Sequence, residues 1–547
     1  MAADLSFDVP EHFNFGRDVV DRLAADRSRV ALHWEDESGL SARYTFWDFQ
    51  AWSNRIANLL AAYGVQRGDA VLVMLPRLPQ WHAAIVAGLK LGALVIPCTA
   101  ALRPKDVEYR ANHSGARAIV TTYEGAAVVE AVRARCPELQ VRVAFSGAPF
   151  GLPAPTGDAA TAALTADGWL DADRELPRQS QHFAPADTAA GEPALCFYTS
   201  GTTKDPKAVL HGHGYTYCQR FTARFWLDAR TDGLHWTTSD TGWAKAAYGV
   251  LFGPWGIGAP TLMYNGRFDP QREMELLERY QVTTFCAPPT EYRLLVKQDL
   301  ARFDLAKLRH CTGAGEPLNP EVIRVWHERT GLWIHDGYGQ TESILLVGNL
   351  PGMEIRPGAM GKPFPGHDVA VVDEAGAAVA PGEVGEIVVR NRPPCLLLEY
   401  WKNPEETGFV FRDGLYWTGD RGYRDDDGYL WFVGRADDVI ISAGYRIGPF
   451  EVESALLTHP AVLESAVVAS PDADRGHVVK AFVVLREGVA PSAALAAELQ
   501  AHVKQTTAPY KYPRAVEFVA ELPKTVSGKI RRGELRAREE AARTAHS

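Results

Sequence analysis

The run Tyr198-Thr199-Ser200-Gly201-Thr202-Thr203-Lys204-Asp205-Pro206-Lys207 decides how this chain is read. Hydroxyls at Thr199, Ser200, Thr202 and Thr203 can donate hydrogen bonds, Gly201 lets backbone N–H groups come close, and Lys204 and Lys207 add positive charge. That chemistry suits a polyphosphate. Residues 193–197 read as a short apolar strand before the loop, and Ala208-Val209-Leu210-His211 opens another ordered element after it. A strand running into a hydroxyl-rich loop is where an α/β protein receives a nucleotide. The loop is not a Walker A motif, because the Gly-x-x-x-x-Gly-Lys-Ser/Thr pattern is missing. Taken alone, the competing reading is an ordinary Ser/Thr-rich surface turn.

Outward from the loop, the first half alternates helices and strands. Thr45 can cap a helix in a box-like arrangement with Asp48, and Phe49, Trp52, Ile56, Leu59, Leu60 and Tyr63 follow as an apolar stripe that Gly64 ends. Residues 70–75, 93–97 and 118–121 read as strands, with helices over 81–90 and 124–134. This βαβα rhythm predicts parallel-type sheets packed with helices. Residues 154–190 read as a surface excursion. Beyond Arg356 the texture changes to short β segments at 367–372, 386–390, 415–418 and 429–433, separated by Gly and Asp turns. After Gly434-Arg435-Ala436-Asp437-Asp438 comes a compact α+β unit of helices at 450–457 and 493–503 and strands near 467 and 479–485. The fold class is therefore α/β: a large N-terminal domain, 1–436, with a β-rich subdomain, followed by a small α+β domain, 437–547.

Composition narrows the function. A hydrophobic fraction of 46% and a charged fraction of 23% mark a globular chain. The net charge of -10 argues against nucleic-acid binding, so a phosphate site has to be local. Seven cysteines are scattered without a C-x-x-C pair, which fits a reducing compartment and offers no zinc framework. The N-terminal stretch lacks a basic and then apolar leader, and the apolar tract at 83–102 is interrupted by Lys90, Gly92 and Pro97. We expect a cytoplasmic protein with no stable membrane insertion.

Four further stretches carry chemistry. Gly313-Ala314-Gly315-Glu316-Pro317 is a tight turn whose glycines let backbone lie against a planar base, or simply a strand-to-helix turn. Asp336-Gly337-Tyr338-Gly339-Gln340-Thr341-Glu342 combines an aromatic face, a hydroxyl and a carboxylate, a set able to stack a base and hold Mg²⁺ beside phosphates. Asp420 ends an aromatic strand, where its carboxylate can accept hydrogen bonds from ribose hydroxyls. Arg435 adds a sugar or phosphate contact, or pairs with Asp437 or Asp438. Lys529, in Pro523-Lys524-Thr525-Val526-Ser527-Gly528-Lys529, reads by itself as a surface lysine in a flexible loop.

Together, and in this order, these stretches resemble the adenylate-forming superfamily of acyl-CoA synthetases, luciferases and peptide-synthetase adenylation domains over nearly the whole chain. Ser239-Asp240-Thr241-Gly242-Trp243-Ala244-Lys245, Tyr-Gly-Gln-Thr-Glu at 338–342 and Ala508-Pro509-Tyr510-Lys511-Tyr512-Pro513-Arg514 look most like medium-chain acyl-CoA synthetases, which implies a medium-chain, branched or benzoate-like acid. The resemblance implies that 199–207 grip the β- and γ-phosphates of ATP. Glu316, with Gly315 and Pro317, and residues 336–341 would hold adenine and the α-phosphate, Tyr338 lying against the base. Glu342 would carry Mg²⁺, and Asp420 and Arg435 the ribose. Lys529 would bridge the attacking carboxylate and the α-phosphate, with Thr341 and Glu342 beside the reaction. Asp437 matches the hinge of the small domain; Ala443, Gly444, Tyr445, Arg446 and Arg475 match positions that meet CoA. Trp243, Tyr248, Gly249 and Gly313 are candidates for the acyl pocket and its gate.

One departure stands out, since the family carries glycine where this chain has Lys204. If that position needs a left-handed backbone, lysine costs stability there. The implied chemistry has two steps. A carboxylate attacks the α-phosphorus of ATP to give acyl-AMP and pyrophosphate, and the CoA thiol then displaces AMP. An adenylating enzyme that loads a carrier-protein phosphopantetheine is the alternative, and a non-catalytic nucleotide- or acyl-binding protein the remote one. His211 and His213 read as interior or turn histidines rather than general bases.

Overall fold

The computed structural model describes residues 7–152, 167–199, 205–436, 438–442, 445–472, 476–524 and 530–546. Among them, the first half builds a sheet in the order Glu399–Tyr400, Lys207–Gly212, Pro193–Thr199, Leu94–Cys98, Ala70–Met74, Ala118–Thr122, Val141–Phe145 and Leu170–Asp171. From Pro193–Thr199 onward in that order the pairings are parallel. Strands such as Ala70–Met74 are buried at every position, because helices cover both faces. One of those helices, Phe46–Ala62, starts at the Thr45–Asp48 capping box that its sequence announces. Another, Pro79–Leu91, ends at Gly92 with φ 72°. The expected helix over 124–134 is shorter, Tyr123–Glu130, and gives way to a 3₁₀ turn at Arg133–Arg135.

A second, larger sheet crosses the rest of the large part of the chain. Its parallel centre, His235–Thr237, Thr284–Ala287, His310–Ala314 and Ile334–Gly339, brings strand ends 237, 287, 314 and 339 to one edge. The β-rich region beyond Arg356 is not a separate sheet. Ala359–Pro363 joins Leu345–Gly348 to Leu430–Arg435, so the antiparallel strands prolong the parallel ones.

One boundary differs instructively. Asp420 does not end its strand, which runs from Leu415 to Arg424. Gly and Asp are turn formers, and Gly419 does adopt φ 72°, but the partner strand keeps the ladder going, with Asp420 opposite Arg435. The final unit has its own apolar cluster, which includes Ile440, Val452, Leu456, Val467, Val483 and Val503, around the hairpin Val462–Asp472/Gly476–Leu485 and the helices Pro449–Leu457 and Ala493–Thr506. No helix among the described residues is long and apolar enough to cross a membrane.

Candidate active site

The strand Ile334–Gly339 delivers Tyr338 to the edge of the second sheet, and the turn behind it carries Gln340, Thr341 and Glu342. Tyr338 donates its hydroxyl to Asp420 Oδ2 at 2.6 Å, and Gln340 Nε2 donates to the same oxygen at 2.7 Å. Gln340 is in turn fixed by the Thr418 carbonyl (2.9 Å) and by the Tyr416 hydroxyl on its Oε1 (2.7 Å). Burial raises the Asp420 carboxyl above its ordinary range, while Arg435, Tyr338 and Gln340 oppose that shift. Two stretches far apart in sequence thus share one buried carboxylate.

Glu342 Oε1 accepts from the Tyr400 hydroxyl at 2.8 Å, and the Glu342 carbonyl accepts from the Leu397 N–H at 2.7 Å. The carbonyl of Thr341 accepts from His211 Nε2 at 2.7 Å. His211 is fully buried, and desolvation pushes it down to about 4, so near neutrality it is an uncharged donor and no general base. Lys207 pairs with Glu406 and stands 5.3 Å from the centroid of the Tyr400 ring.

Gly315, in the turn after His310–Ala314, and Gly313, inside that strand, differ in what a side chain would meet. Gly315 has φ 112° with open space around it, so conformation alone excludes a side chain. Gly313, in the strand, is held by packing, since a Cβ there would stand 3.3 Å from Ile334 and Leu318. Glu316 accepts from the Thr290 hydroxyl and lies 3.8 Å from Arg293. Pro317 is partly exposed beside it. Asp336 is buried instead. Only the Gly337 N–H, at 2.9 Å, offsets its desolvation, which raises it to about 7. Trp226 packs where a Gly337 Cβ would be, 2.3 Å from that position, and the Ile344 carbonyl does the same at Gly339, at 2.6 Å.

On the other side, Asp240 receives Thr99 Oγ1 (3.0 Å) and the Gly242 N–H (2.9 Å), which fixes the segment leading to Trp243. Trp243, Ala244 and Tyr248 are partly exposed, whereas Ala246, Ala247, Gly249 and Val250 are buried. A Cβ at Gly249 would stand 2.5 Å from Thr237 Oγ1, so this helical segment lies flush on its strand.

Of the small unit, Tyr445 is exposed and stacks on Tyr510 at 4.4 Å. Arg532 pairs with Glu453 at 2.6 Å and also feels the charge of Glu316. Ser200, Gly201, Thr202, Thr203, Lys204, Asp437, Ala443, Gly444, Arg475 and Lys529 lie outside the described residues, as does the side chain of Arg446.

Residues 20–401 match the model of the AMP-binding enzyme, and 451–529 that of the AMP-binding enzyme C-terminal domain. The chain belongs to the AMP-binding enzyme family. It is 44% identical to the mitochondrial acyl-coenzyme A synthetase ACSM3 of Mus musculus, over 98% of this chain and 93% of that one. It is 45% identical to mitochondrial ACSM4 of Rattus norvegicus, over 97% and 91%. The anthranilate CoA ligase AuaEII, solved with anthranoyl-AMP, superposes with a TM-score of 0.88 at 30% identity, over 99% of this chain and 100% of that one. This AMP-binding enzyme is accordingly an ATP-dependent acyl-CoA synthetase, a ligase that uses a carboxylic acid, ATP and CoA. The expected cytoplasmic location is overturned by the mitochondrial ACSM3 and ACSM4.

The sequence reading missed Tyr400, Tyr416, Thr290, Arg293, Glu406 and Arg532. Asn403-Pro404 is a recognisable helix start just after Tyr400, and the structure confirms a helix at Pro404–Val410. Nothing in the sequence signals that this helix would lie against Lys207.

Proposed function

We propose that this acyl-CoA synthetase activates a medium-chain, branched or benzoate-like acid, and that the residues around Tyr338, Asp420 and Glu342 bind its ATP. The supporting observation is the hydrogen-bonded set Tyr338–Asp420–Gln340–Tyr416, which joins two of the nucleotide motifs through one carboxylate. Asp420 and Arg435 hold the ribose, Tyr338 lies against the base, and 199–207 hold the outer phosphates. Glu316, with Gly315 and Pro317, closes the adenine side. Mg²⁺ fits the Glu342 end, because the donors there, Glu342 and Thr341, are hard oxygens. Its remaining ligands would come from phosphate and water. When bound, it adds positive charge to the polyphosphate.

The acid's carboxylate oxygen attacks the α-phosphorus, pyrophosphate leaves, and Lys529 neutralises negative charge on the oxygens of the pentacoordinate phosphate. The CoA thiol then attacks the acyl carbon and AMP departs. The small domain, 437–547, turns about Asp437 between the steps, withdrawing Lys529 and presenting Ala443, Gly444, Tyr445, Arg446 and Arg475 to CoA. Its separate apolar cluster is consistent with such a unit.

The acid pocket and its gate are assigned to Trp243, Tyr248, Gly249 and Gly313. The ACSM relatives, the anthranilate ligase and a benzoate CoA ligase from Burkholderia xenovorans (27% identical, TM-score 0.81) favour a mid-sized acyl group. A panel from acetate to palmitate, with 2-methyl-branched acids and benzoates, scored by pyrophosphate release, tests this. The highest kcat/KM is expected between butyrate and octanoate or among the benzoates. A preference for acetate or palmitate would refute it.

A further inference from the structure

Lys207 opens the strand Lys207–Gly212, and the strand Glu399–Tyr400 pairs antiparallel beside it, with Tyr400 opposite Val209. The Trp401 N–H bonds the Ala208 carbonyl at 2.8 Å, so the chain stays on this edge as it turns into the helix Pro404–Val410. Two contacts then fix the first turn of that helix. Asn403 accepts from the Glu406 N–H at 3.1 Å, and Thr407 Oγ1 accepts from the Tyr400 N–H at 3.0 Å. Glu406 is thereby held against the Lys207 ammonium, the two side chains being 26% and 21% exposed. The Tyr400 ring flanks the same ammonium, and its hydroxyl bonds Glu342. Glu342, Tyr400, Lys207 and Glu406 form one row of alternating acid, phenol, cation and acid.

This row has a consequence for the ligand. The cation assigned to the outer phosphates already has an anionic partner, and that partner sits on a different element from the phosphate loop. A triphosphate reaching Lys207 has to take the ammonium from Glu406, and Glu406 can reclaim it as pyrophosphate leaves. We propose that Glu406 is the resident counter-ion of Lys207, a positioning residue that competes with the β- and γ-phosphates, weakening ATP and pyrophosphate binding alike and promoting release of the leaving group. This rests on the reading of Lys207 as a phosphate ligand given above.

The test uses the full-length enzyme and the variants Glu406→Gln, Lys207→Met and both together. Glu406→Gln keeps the size of the side chain and removes its charge. It is expected to lower KM for ATP and the inhibition constant of inorganic pyrophosphate by about two- to five-fold, the range for a partly exposed ion pair, with KM for the acid and for CoA unchanged. In the Lys207→Met background the same substitution is expected to change neither constant. If Lys207→Met raises KM for ATP while Glu406→Gln raises or leaves unchanged both constants, the counter-ion role is overturned and the phosphate role of Lys207 stands. If Lys207→Met leaves KM for ATP unchanged, the phosphate reading fails and the proposal falls with it.

Discussion

The region proposed for the nucleotide and the region proposed for the acyl group are built by different physics. Around Asp420 and Glu342 each side chain is tied to another by a directed hydrogen bond: Tyr338 and Gln340 to Asp420, Tyr416 to Gln340, Tyr400 to Glu342. Around Trp243 and Tyr248 the constraint is volume. A Cβ at Gly242 would stand 2.1 Å from the Thr99 backbone nitrogen, and one at Gly249 2.5 Å from Thr237. A substrate that never varies, ATP, can be met by fixed polar pairs. An acid whose tail varies among related enzymes is met by shape, which single methyl groups adjust.

The largest effect expected breaks the comparison along the reaction rather than across the cleft. Lys529→Ala should reduce adenylate formation by about a hundred- to a thousand-fold or more, the magnitude for removing one transition-state donor, while thioester formation from supplied acyl-AMP persists. Equal loss of both half-reactions would show that Lys529 does not serve the first step alone. Next comes Asp420→Asn, which keeps a carbonyl acceptor for Tyr338 and Gln340 but removes the charge they donate to. Two bonds lose their charge assistance, so kcat/KM for ATP should fall about ten- to a hundred-fold with KM for the acid nearly unchanged. A matching rise in KM for the acid would erase the division between the two sides.

That division also explains what was legible in the sequence. Asp420, Gln340 and Glu342 stand in compact polar motifs whose chemistry can be named from residue types alone. The alternating pattern of the first half likewise discloses its parallel sheet. The continuity of the β-rich region with the second sheet was hidden, because strand pairing such as Ala359–Pro363 on Leu430–Arg435 spans some seventy residues and leaves no local trace. Tyr400 and Glu406 were hidden for the same reason, since their roles exist only through pairing with the distant strand Lys207–Gly212. On the acyl side, Gly249 was named only through the resemblance, and its packing on Thr237 was hidden, as a glycine set by close packing looks in sequence like any other.

Gly249→Ala sharpens the comparison from the shape side. Its Cβ would meet Thr237 inside van der Waals distance, in a segment where Val250 and Leu251 are already buried. Overpacking of this kind costs about 1–3 kcal/mol, to be read as a lower urea midpoint. The displaced helix should raise KM for the larger acids more than for the smaller ones and leave KM for ATP within about two-fold. An equal shift in KM for ATP would mean the two sides are mechanically one.

A smaller effect concerns Tyr400, which touches neither reacting atom directly. Burial and the neighbouring Glu342 raise its phenol far above the usual range, so it stays protonated and acts only as a donor. Tyr400→Phe removes that single bond to Glu342 Oε1 and keeps the ring beside Lys207. A hydrogen bond to a charged group contributes about 1.5–3 kcal/mol where it is fully sheltered and less where water can replace it, so kcat/KM for ATP should fall about three- to ten-fold. The pH profile should keep its shape, because no titrating group has been removed. A shifted profile would mean that the phenol sets the charge state of Glu342, and the fixed polar pairs of the nucleotide side would then include a titrating one.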